Sequence, residues 1–309
     1  TGINIIVQAR LKTFIPGTYA SYSEQLLGIK DVKTGNQTEW EISKVTFEPY
    51  SEPDPDQTYK TNNLPAPLLQ LTADGCLAGF NSTVTCDKSI KPVSNSFVKN
   101  NSDQKPAIIN QVVSTASSGR TPVAQRAEEA AALVLKSRAV RFEIAAGMLD
   151  EFHPDGQAYQ VSMDELEKTE KEALELFTGK SVTEDYTFVY HFLPSSSSVK
   201  GEVIFRFDEN LGFLAKNDFS GKPVMIDVER ETGKIENPPV ENTSVSGIFY
   251  RQPGIGNIRL SQELTVIGTG RMTIAQFGNV FPVPAELLNG SYSLEFHPET
   301  GALKSILKK

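Results

Sequence analysis

The amino-acid sequence predicts an α+β fold that is mainly β: antiparallel sheets forming a sandwich or open barrel, with two longer helices in the middle of the chain. Three observations carry this. After Lys180, short apolar runs separated by turn residues recur eight times in about 130 residues, the rhythm of a sandwich or barrel. Residues 121–148 instead concentrate Ala, Glu, Arg and Leu, the composition of a helix. Near the start, Ile3, Ile5, Val7, Ala9 and Leu11 repeat at period two, as in a strand with one face in a core. Leu, Ile, Val and Phe together exceed a quarter of the 309 residues, enough to build that core.

The first strand ends at Pro16-Gly17. Tyr19, Tyr22 and Leu26 then fall at helical spacing with Gly28 beyond, so a short helix runs to Leu27. Residues 38–48 alternate again, and 52–57, where Pro53 and Pro55 interleave with acids, read as loop. Runs 68–71 and 76–80 flank Asp74-Gly75, a pair that tolerates positive φ, and predict a hairpin. Residues 87–121, rich in Ser, Asn, Lys and Thr, read mostly as loop or edge.

A long helix is expected from Thr121 to about Met148, with Thr121 as cap and Pro122 in the first turn. Its apolar face is read as Val123, Ala127, Ala131, Val134, Leu135, Phe142, Ala145 and Leu149. A second helix is expected from the capping box Ser162-Met163-Asp164-Glu165 to Phe177, before Gly179. The two form an antiparallel pair across one sheet. The strands that follow are placed at 187–193, 202–207, 224–230, 246–251, 258–267, 272–277, 292–296 and 302–307. One turn pattern recurs at 72–77, 229–235 and 297–303, where a polar pair and Gly lie between two apolar segments; repeated use of one turn explains it, with a duplicated domain as the alternative. The segments are a β-rich N-terminal domain at 1–110, a helical pair at 111–180 and an antiparallel β domain at 181–309.

The net charge of −8 repels phosphate backbones, which argues against nucleic acid as a partner. The longest unbroken apolar run, 130–135, is far short of the ~20 residues a spanning helix needs, so no transmembrane segment is expected. Cys76 and Cys86 lie ten residues apart in a strand–turn–strand pattern. They read either as a disulfide, stabilising by ~2 to 3 kcal/mol, or as two thiols packed as small apolar residues.

No motif assigns a reaction. His153, His191 and His297 fall in three unrelated contexts, and each reads as structural. Gly179-Lys180-Ser181 looks like the end of a phosphate loop, but Leu174 stands where the first glycine belongs. Gly254-x-Gly256 and Gly268-x-Gly270 lack a third glycine and a following helix, so no dinucleotide site and no cofactor are expected. Glu52, Asp54 and Asp56 offer hard oxygen ligands on a loop and are weak metal candidates beside the plainer reading of a solvated loop. Asp150 and Asp155, with Glu151 between them, are the candidate carboxylate pair for glycoside hydrolysis, set against helix capping. Trp40, Tyr50 and Tyr59, with Tyr159 and Tyr250, are candidate flat platforms for a sugar ring.

Several stretches carry a resemblance. These are residues 16–22 (Pro-Gly-Thr-Tyr-Ala-Ser-Tyr) and 26–31, then Arg138-Ala139-Val140-Arg141-Phe142 with Gly147, Asp150, Asp155 and Gly156, then 176–179, 205–207, Leu211-Gly212, 250–253, 276–278 and Pro282. Together they resemble an uncharacterised envelope-protein family of Bacteroidetes, domain of unknown function 4831. The resemblance implies an exported protein of the periplasm or cell surface whose leader is not part of a chain that begins at Thr1. It leaves lipid anchoring open and brings no catalytic residues. The expectation is a non-enzymatic binding or structural module for a protein partner or surface glycan. The alternative is a carboxylate-dependent hydrolase of polysaccharide or peptidoglycan.

Overall fold

Period-two alternation places the strands. In the computed structural model, which describes residues 1–53, 68–83, 98–100 (backbone), 122–148, 156–231 and 247–309, Ile3, Ile5, Val7 and Ala9 point to one side of strand β1 (Gly2–Ile15) and are at most 1 % exposed. The chain continues through α1 (Ser23–Leu27), β2 (Gln37–Tyr50), β3 (Leu69–Leu71), β4 (Leu77–Phe80) and β5 (Val98–Asn100). Then come α2 (Val123–Ala145) and α3 (Gly156–Thr178). The remainder is β6 (Lys180–Phe192), β7 (Val199–Asp208), β8 (Gly212–Leu214), β9 (Lys222–Arg230), β10 (Phe249–Gln262), β11 (Thr265–Pro282), β12 (Tyr292–His297) and β13 (Ala302–Lys308).

The strands form three antiparallel sheets, ordered β2-β1-β6-β5, β11-β10-β9-β7-β8 and β13-β12-β4-β3. Ile3, Ile5 and Val7 of β1 and Phe192 of β6 meet Phe205, Val224, Ile226, Ile258, Leu260, Ile274 and Phe277 of the second sheet in one apolar core. These two sheets therefore make a sandwich, and among the described residues no sheet closes into a barrel. The third sheet has a smaller core of Phe80, Leu294 and Phe296 with Ile248 and Val283. The segments expected to be separate β domains, 1–110 and 181–309, share sheets: β1 lies beside β6, and β4 pairs with β12.

By contacts the chain divides into two units. The first comprises residues 1–10, 40–100 and 185–309, and the second residues 11–39 and 101–184. The second unit packs Tyr19 and Phe177 against Ala127, Ala130 and Ala131. Tyr19 N–H donates to the Leu176 carbonyl at 2.7 Å, fixing the segment before α1 on α3. Helices α2 and α3 are tied by Glu170, which accepts from Arg138 at 2.6 Å and Arg141 at 2.8 Å. Glycines in the left-handed region close α1 at Gly28 (φ 69°) and follow α3 at Gly179 (φ 80°).

Three expectations need correction. Helix α3 starts at Gly156, not Ser162, because residues 157–161 contain no breaker and the helix propagates back through them, leaving Ser162 and Glu165 inside it. The run at 258–267 is two strands joined by Glu263-Leu264, a two-residue hairpin loop without Gly or Asn, in which Glu263 itself takes φ 53°. The apolar face of α2 is buried only at Ala127, Ala130, Ala131 and Val134, with Ser137 among them, whereas Val123, Leu135 and Phe142 are exposed.

Candidate functional site

Two of the three recurring turns meet in the first unit. Thr72, Asp74 and Cys76 from the β3–β4 turn and Pro298 and Glu299 from the β12–β13 turn line a hollow with Ser51, Glu52 and Pro53, which follow β2. Each turn closes on itself: Gly75 N–H donates to the Thr72 carbonyl at 2.9 Å, and Gly301 N–H to the His297 carbonyl at 2.7 Å. Glu52, Asp74 and Glu299 make the hollow acidic. Its volume of about 20 Å³ holds about one water, far below a sugar ring. Among the described residues no three carboxylate, thiol or imidazole groups converge closely enough to hold a metal ion.

Of the metal candidates, Glu52 borders this hollow, while Asp54 and Asp56 lie outside the described residues. The carboxylates Asp150 and Asp155, the aromatic Tyr59, His153 and Cys86 also lie outside them, so the paired-carboxylate and disulfide expectations fall there too. Cys76 is half-buried, and its N–H donates to Thr72 Oγ1 at 3.0 Å.

The aromatic candidates among the described residues are occupied by the fold. Tyr50 is 5 % exposed, lies over Gly2, and meets His191 edge-on at 5.6 Å. It therefore offers no free face to a sugar ring, which corrects its reading as an exposed platform. Burial, and then the nearby Glu52 charge, push its phenol pKa up. His191 in turn shares a 2.8 Å hydrogen bond with Asn4 Oδ1, so this histidine holds a buried polar residue in place. Trp40 is half-buried against Tyr186, Phe188 and Phe213, with its ring over Gly212, where a side chain would collide with it. Tyr250 leans on Phe281 at 5.9 Å, and Tyr159 is half-buried on α3.

Two arrangements were not singled out by sequence. On the sandwich surface, Asp227 accepts from Gly201 N–H at 2.8 Å and from the Arg259 guanidinium at 2.7 and 3.1 Å. The Arg259 hydrogen bond holds its carboxyl below the usual range. Lys200 pairs with Glu229 at 2.7 Å beside it. This is a cross-strand charge ladder, satisfied within the sheet.

The second arrangement is on α2. Ala132, Leu135, Ala139, Phe142 and Ala146 are all exposed, with Leu135 at 52 % and Phe142 at 66 %. Their 3-4-3-4 spacing puts them in one stripe along the helix, away from the face that packs into the second unit. The sequence holds only part of the signal: apolar residues recur around more than one side of α2, and the packing then shows which side is buried.

The fold and these features define a β-sandwich protein with a helical hairpin, its small acidic hollow too narrow for a sugar ring and one helix apolar on its outer face. The chain belongs to the family described as Domain of unknown function (DUF4831), whose model matches residues 1–304. Comparison with curated proteins and with solved structures gives no match.

Proposed function

We propose that this protein is a non-enzymatic binding or structural module of the Bacteroidetes cell envelope, exported to the periplasm or cell surface, which engages a protein partner through the outer face of α2. The observation that carries the reading is the stripe on α2: two large apolar side chains, Leu135 and Phe142, stand in water on a helix whose other face already holds a core. Exposing such a row costs free energy that contact with another apolar surface recovers. A protein is favoured over a glycan because Tyr50 is buried and Trp40 is covered by other rings. Export is supported by the family resemblance, and fusing the native leader to a compartment-sensitive reporter tests it.

Contact through α2 is tested by a photoreactive amino acid placed at Phe142 in the native cells, with the same group at exposed Lys44 as control. The expected result is a protease-sensitive adduct heavier than the chain from position 142 and none from position 44. No adduct at 142, or equal yield at both positions, overturns the reading.

A further inference from the structure

We draw no further inference here: the strongest candidate, the exposed apolar side chains Leu211, Phe219 and Leu264 on the loops that join β7 to β8, β8 to β9 and β10 to β11 in the second sheet, carries nothing because nothing in the structure shows what covers them.

Discussion

Replacing Phe177 by Ala removes the one fully buried large side chain among the described residues of the second unit's core. Phe177 is 0 % exposed and its ring lies 5.7 Å from that of Tyr19. Truncating a buried Phe costs about 3–5 kcal/mol from lost transfer free energy and the void left behind. The aromatic pair accounts for about 0.5–1.5 kcal/mol of that. Of the other cluster members, buried Ala127, Ala130 and Ala131 have no side-chain rotamers with which to fill the space, while the partly buried Leu26, Leu27 and Leu176 can relax in part, so the loss belongs near the middle of that range, about 4 kcal/mol. Urea unfolding followed by far-ultraviolet circular dichroism measures it, because the variant must shed its helical signal at a lower midpoint. A loss below about 1.5 kcal/mol would mean that Phe177 is not enclosed and that the assigned core of α2, α3 and Tyr19 is incorrect.

Three further outcomes follow from the same geometry. Gly278→Ala drives a methyl group into the Gln252 carbonyl where the β10–β11 register shifts, and a loss of at least about 3 kcal/mol or a failure to fold is expected; a wild-type melting temperature would contradict that strand crossing. Gly179→Ala puts a side chain at φ 80° and 2.6 Å from the Ile15 carbonyl oxygen, costing about 2 kcal/mol in a chemical denaturation series, whereas an unchanged midpoint would deny the tight turn between α3 and β6. Asp227 is held below its unfolded value of about 3.9 by Arg259, so its contribution is fully present above that pH and is lost as pH falls through the lower folded value. Denaturation of Asp227→Asn against wild type across that acid range should show the difference shrinking towards low pH, by less than about 1 kcal/mol since Arg259 is exposed; a difference independent of pH would refute the assignment.

Local signals in the sequence decided local structure well. The alternation of Ile3, Ile5, Val7 and Ala9 gave the buried face of β1, Asp74-Gly75 gave a hairpin with Gly75 at φ 81°, and Gly28 gave the end of α1. What local pattern does not carry is pairing at a distance. Nothing in residues 2–15 says that they lie beside residues 180–192, or that β4 meets β12, because register between remote strands is set by the whole core. The hairpin loop at Glu263-Leu264 stayed hidden because its left-handed residue is a glutamate, which carries no turn signal. At the site, residue type spoke for chemistry that position then reassigned: Tyr50 reads as a platform but is only 5 % exposed and lies over Gly2. Leu135 and Phe142 read as core because apolar side chains at helical spacing usually are, and only the packing of α2 separates its two faces.

Helix α2 uses one face to build its own unit and keeps the other for contact. Equilibrium urea unfolding of Phe142→Ser tests that division directly. A change within about 0.5 kcal/mol of wild type is predicted, as for a surface position. A loss of more than about 2 kcal/mol would show that Phe142 belongs to the fold, and that the outer face of α2 is not free for a partner.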